Sequence, residues 1–132
     1  MRGTLSREIV DALLDAIPVE LTVIDDRDRV VGWNSGRPRL FERAFEIMGR
    51  DVRTCHSEKS LGMLERMLRE MKEGTRSSAR FWYDEEREGA PRKVLVEYHA
   101  LRDQTGRYVG CVEALLEIGS LCSLEGEKRT LD

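Results

Sequence analysis

Cys55-His56-Ser57 is the place in this 132-residue chain where side-chain type and spacing most directly offer chemistry. The tripeptide stands just before Glu58 to Glu73, where Leu61, Leu64, Leu68 and Met71 recur at the spacing of one helix face. A helix N-terminus at that point disfavours an imidazolium and favours a thiolate. Two functional readings follow: neutral His56 as a ligand to haem iron or another metal, or Cys55 as a redox-sensitive thiol. A hydrogen-bonded loop cap is the plainer reading and carries more weight, because one Cys-His dipeptide lacks the ligand count of a structural metal site.

Other chemistry-bearing residues are scattered. Met63, Met67 and Met71 form a stripe at i, i+4 and i+8 that could supply a thioether but more simply fills core gaps. His99 follows Glu97 by two residues on a strand pattern, so the imidazole and carboxylate share one sheet face. Trp33, Trp82 and Tyr98 could wall a pocket, with plain core packing the default. The candidate pocket lining is Trp33, Cys55, His56, Met67, Tyr98, His99 and Cys111, with His56 the candidate metal ligand. No nucleophile elbow, phosphate loop or paired-carboxylate motif is present. The expectation is therefore a non-enzyme, with a small α+β enzyme acting on a hydrophobic substrate as the alternative.

The elements that must position these residues are legible from periodicity. Leu5, Ile9, Leu13 and Ile17, flanked by Val10 and Leu14, predict a leading amphipathic helix ended by Pro18. Its apolar stripe must bury against the sheet, a second copy of the chain, or both. Leu21 to Ile24 and Arg29 to Trp33 read as strands around a charged turn. Pro38 to Met48 reads as a short helix closed by Gly49, and Gly49 to Lys59 as a loop or broken helix. Ser57 is the expected cap of the helix Glu58 to Glu73, which Gly74 stops. Ser78 to Asp84 reads as a strand, and Asp84 to Gly89 as a charged turn into a hairpin, Arg92 to Ile118. That hairpin turns at Asp103-Gln104-Thr105-Gly106, and both its faces are partly apolar, so both should carry cover. Leu121, Leu124 and Leu131 suggest an outgoing helix over 119–132. The fold class is α+β: a five-stranded antiparallel sheet with helices across one face and flanking helices at both ends.

Length and composition set the outer bounds. One domain of this size buries roughly two thirds of its unfolded surface. Charged residues make up 36% of the chain at a net charge of −3, and basic and acidic residues interleave, which argues against nucleic acid as a partner. No apolar run is long enough to span a bilayer, and Met1-Arg2-Gly3-Thr4 does not open a secretory signal, so a cytoplasmic location with no membrane partner is expected. Three cysteines without a CxxC pair fit reduced thiols better than a disulfide framework.

Ile17 to Asp25, the charged turn, Val30-Val31-Gly32-Trp33-Asn34 and Gly49-Arg50-Asp51 together resemble the opening half of a PAS sensor domain. Asp103, Gly106, Tyr108-Val109-Gly110 and Leu116-Glu117-Ile118 are similar to its closing hairpin. More narrowly, Cys55-His56, Phe81-Trp82 and Leu124-Glu125-Gly126-Glu127-Lys128-Arg129 resemble the PAS domain fused to hemerythrin-like modules in bacteria and archaea. The resemblance covers nearly all of residues 1–132 as a single domain, with a leading helix at 1–17, a PAS core at 18–118 and an exit helix at 119–132. It implies a sheet cupping a pocket for a small-molecule ligand, a homodimer formed through flanking helices, and sensing relayed through the exit helix to a downstream signalling domain. Asn34 matches a position that fixes the loop after the second strand. Haem-binding members carry their iron-binding His inside the long helix, which here holds none, and photosensory flavin-binding members carry Cys directly after Gly-Arg-Asn, where this chain has Val52 after Gly49-Arg50-Asp51. Neither cofactor carries over at those positions.

Overall fold

In the computed structural model, which describes residues 2–36 and 39–131, the chain runs α1 (Arg7–Ala16), β1 (Glu20–Asp25), β2 (Val30–Trp33), α2 (Glu58–Glu73), β3 (Ser78–Arg87), β4 (Ala90–Arg102), β5 (Tyr108–Glu117) and α3 (Gly119–Cys122). The five strands form one antiparallel sheet in the order β2-β1-β5-β4-β3. The α+β architecture expected from periodicity is the one observed. β5 stands at its centre, and the β4–β5 hairpin carries β1 on one side and β3 on the other, with β2 added outside β1.

Alternation sorts the sheet into two unlike faces. On the inner face, Ile24, Cys111, Leu115, Val94, Val96 and Tyr98 are buried, and α2 lays Leu64, Met67, Leu68 and Met71 against them. Full burial of such a side chain contributes about 1.5–3 kcal/mol, so this contact is the main stabilising layer. The outer face, with Leu95, Val112, Ala114 and Leu116, is only half covered. α1 does not supply the cover: none of its residues is buried, and Ile9 and Leu13 are about half exposed.

Three expectations change. The helix expected over Pro38 to Met48 reduces to a single 3₁₀ turn at Phe45–Ile47; Pro38 lies outside the described residues. Its backbone groups are used elsewhere: the Leu40 amide donates to the Glu20 carboxylate, the Leu40 carbonyl accepts from Arg87, and the Phe41 carbonyl accepts from Arg39 Nε at 3.2 Å. Leu40, Phe41 and Ile47 still reach the core, while Phe45 points to solvent. The charged run after Tyr83 continues β3 rather than turning. Asp84 pairs with Lys93 at 2.6 Å across the ladder, and the turn tightens to Glu88-Gly89, both with positive φ. The outgoing helix is confined to Gly119–Cys122; Gly126 sits at φ 65°, and Leu124 and Leu131 find no core to bury in.

The caps follow the sequence more closely. Gly74 takes the left-handed conformation at φ 82° and closes α2. Ser57 is the N-cap residue of α2, but its side chain makes no capping bond; its hydroxyl lies 3.4 Å from that of Ser60. Asp28, buried in the turn between β1 and β2 at φ 63°, ties that turn to two elements: its Oδ2 accepts from both Arg53 Nη atoms at 3.1 Å and from Lys72 Nζ at 2.7 Å.

Candidate functional site

Strand register brings four inner-face residues into one row. Thr22 of β1 faces Glu113 of β5, Glu113 faces Tyr98 of β4, and Tyr98 faces Ala79 of β3. Glu113 and Tyr98 are both buried, and an ionised carboxylate in such a place needs partners. It has two. The Tyr98 hydroxyl donates to Glu113 Oε2 at 2.5 Å, and Arg43 Nη2 donates to Oε1 at 2.7 Å. Burial foremost, then the Glu113 charge, pushes the Tyr98 phenol well above its ordinary value, so it stays protonated and remains a donor.

Above this row opens a cleft of about 520 Å³. Phe41, Met63, Phe81, Val96 and Leu115 form its apolar walls, and Arg43, His56, Ser57, Ser60, Tyr83, Tyr98 and Glu113 give it a polar side. Phe81 meets Tyr98 edge to face at 6.3 Å between centroids, which fixes the ring orientation of the β3 wall. Behind the cleft a void of about 10 Å³, room for roughly one water, shares Arg43, His56 and Glu113 with it and adds Thr22 and Cys55. The polar pole of the cleft therefore lies at its inner end.

His56 reaches this pole from the loop before α2. Its Nδ1 lies 3.0 Å from the Val52 carbonyl, which can only accept, so the neutral ring carries its proton on Nδ1 and leaves Nε2 as an acceptor. Arg43 Nε is buried and has no hydrogen-bond partner among the described residues. Two residues that line both the cleft and the void thus offer an unused donor, on Arg43, and an acceptor, on His56.

The sequence-derived candidates divide. His56 and Tyr98 line the cleft and Cys55 lines the void behind it. Met67 and Cys111 lie in the core; the Cys111 thiol is 3.7 Å from Met71 Sδ, and burial above all pushes it up to about 12. Trp33 lines a separate surface groove beside α1. His99 is exposed on the outer face, 3.5 Å from Glu97. Arg43 and Glu113 were not singled out from the sequence. Glu113 carried one signal, a carboxylate in phase with Cys111 and Leu115 on an inward-facing strand. Arg43 carried none, since its segment lacks regular structure.

A haem fits this site poorly. His56 offers one axial imidazole, but Arg43, the cation lining the cleft, is committed to Glu113, which leaves no cation among the lining residues for the propionates. No group of three His, Cys, Asp or Glu side chains that could hold a metal ion converges among the described residues. No helix there is long and apolar enough to cross a membrane.

No curated protein matches the chain. The crystal structure of the C-terminal domain of a protein from Streptococcus mutans shares 30% identity over 95% of this chain and 94% of that one, at a TM-score of 0.84. The PAS domain of Bordetella pertussis BvgS (19% identity, 84% and 85% covered, TM-score 0.63) and a sensory box sensor histidine kinase from Vibrio cholerae (15%, 84% and 90%, TM-score 0.55) share the fold. A PAS domain family model matches residues 10–119. The chain belongs to the PAS domain family.

Proposed function

We propose that this PAS domain is a sensory module, without catalytic activity of its own, that takes a small molecule in the cleft above Glu113 and passes the resulting change to a partner through its flanking segments. The observation that carries the reading is a buried, neutralised Arg43–Glu113–Tyr98 pole at the inner end of an apolar cleft. A packed core has no use for an open cleft with an unpartnered donor, whereas a ligand site does. The fold neighbours named as a sensor kinase and as the PAS domain of BvgS support a sensory role. Free Cys55, Cys111 and Cys122 support a reducing, cytoplasmic setting.

The homodimer forms through the half-exposed stripe of α1 and the half-covered outer sheet face. Since α3 is a single turn, α1 is the stronger route for output. The Streptococcus mutans relative is the C-terminal domain of its protein, and we read this chain as a comparable piece, carried beside a hemerythrin-like module. Native mass spectrometry of the purified chain should show a co-purifying small molecule. Sedimentation should show a dimer that becomes a monomer when residues 1–17 are removed. A ligand-free monomer in both forms would overturn the reading.

A further inference from the structure

Resting on the reading of the cleft as a ligand site, we infer that its ligand is an uncharged amphipathic molecule: an apolar or aromatic body with one neutral head that both accepts and donates a hydrogen bond, as a primary or secondary amide does. The juxtaposition that carries this is a closed charge balance beside an open hydrogen-bond balance.

Charge is settled within the protein. Glu113 carries the negative charge of the inner end and Arg43 the positive one, in direct contact at 2.7 Å with side chains 9% and 18% exposed. A carboxylate head would add a second anion beside Glu113, and an ammonium head a second cation beside Arg43; each would be a buried charge without a counter-charge. A neutral head meets neither cost.

Hydrogen bonding is not settled. Arg43 Nε is a buried donor without a partner, and His56 Nε2 is left as an acceptor because Val52 holds the ring proton on Nδ1. Both residues line the cleft and the one-water void behind it. A head with a carbonyl for Arg43 Nε and an N–H for His56 Nε2 satisfies both. The body then lies between Phe41, Met63 and Phe81, where a purely polar ligand would find no partners.

A charge series on one ring tests the class on the full chain: benzamide, benzoate, benzylammonium and toluene, titrated while following the NMR signals of Met63, Phe81 and Val96. Affinities on the order of millimolar suffice, because the readout is their ratio. Benzamide should bind at least about tenfold tighter than the other three, one tenfold step being about 1.4 kcal/mol. Equal or tighter binding of benzoate or benzylammonium would overturn the inference. Toluene binding as well as benzamide would also overturn it while leaving the cleft as a ligand site. If none of the four perturbs those residues, the cleft reading itself falls. Glu113→Gln supplies the second arm: with Arg43 freed from its counter-charge, the benzoate-to-benzamide ratio should rise about tenfold, with circular dichroism confirming the fold. An unchanged ratio in folded variant would show that this ion pair does not select the head group. If the variant does not fold, the wild-type series decides alone.

Discussion

Asp28 and Glu113 are both buried carboxylates paired with arginine, yet they sit in opposite situations. Asp28 Oδ2 takes three donors from two cations, Arg53 and Lys72, and so locks the turn between β1 and β2 to α2 and the loop before it. Glu113 has one cation and one phenol, on the floor of an open cleft, and its cation arrives on a segment without regular structure. A carboxylate held by donors from two elements, within a cluster that also ties Arg53 to Asp51 and Glu65, makes a joint. One held by a single cation and a phenol, next to open space, makes a site whose charge is closed but whose hydrogen bonding can still respond.

The largest effect that would test this contrast is in the joint. Asp28→Asn takes from Lys72 its anion and from Arg53 one of three, Asp51 and Glu65 remaining, and should cost about 2 kcal/mol in urea unfolding, below the value for a fully buried pair because both cations reach solvent. Fragment binding in the cleft should not change; a loss of binding at full stability would reverse the two roles. Tyr98→Phe should cost about 1–1.5 kcal/mol, since Glu113 keeps Arg43 but loses a buried donor. A neutral result would mean that Arg43 alone holds the carboxylate.

Cys111 is two residues from Glu113 on β5 and reports on the same core. With its thiol pushed up to about 12 by burial first and by Glu113 second, almost none of it is thiolate at pH 8. Iodoacetamide should therefore label exposed Cys122 and spare Cys111 until urea unfolds the chain, as read by peptide mass spectrometry. Early labelling of Cys111 would show that the inner face opens. The smallest effect concerns a third carboxylate, Asp103, which is held by local donors alone in the turn between β4 and β5. Bonds from the Thr105 hydroxyl foremost, and from the Thr105 and Arg107 amides, hold it down at about 2. Its folded value lies below the unfolded one, so its contribution is complete above about pH 4 and is lost as the pH falls toward 2. The Thr105 and Arg107 amide shifts should titrate with a midpoint near 2, and a midpoint near 4 would show the turn open.

Where a segment's structure depended on its own periodicity, the sequence was a sufficient guide. The face of α2, the alternation of β4 and β5, and the stop at Gly74 are local consequences of side-chain spacing and of glycine's tolerance of positive φ. The segment around Leu40 to Met48 went otherwise, because the backbone groups of Leu40 and Phe41 bond to the side chains of Glu20, Arg87 and Arg39, and backbone bonding within the segment is limited to the turn at Phe45–Ile47. Likewise the charged stretch Asp84 to Arg87 looked like a loop until a partner strand of opposite charge stood beside it.

The sequence by itself determined the family, the five strands and the alternation along β4 and β5, since each follows from a pattern within a few residues. Only the tertiary structure decided the site. Arg43, His56, Tyr98 and Glu113 come from a loop, a helix entry and two strands, and the Arg43 to Glu113 contact spans 70 positions. Such a convergence is set by strand register and by the backbone that folds over it, and no spacing in the chain encodes it.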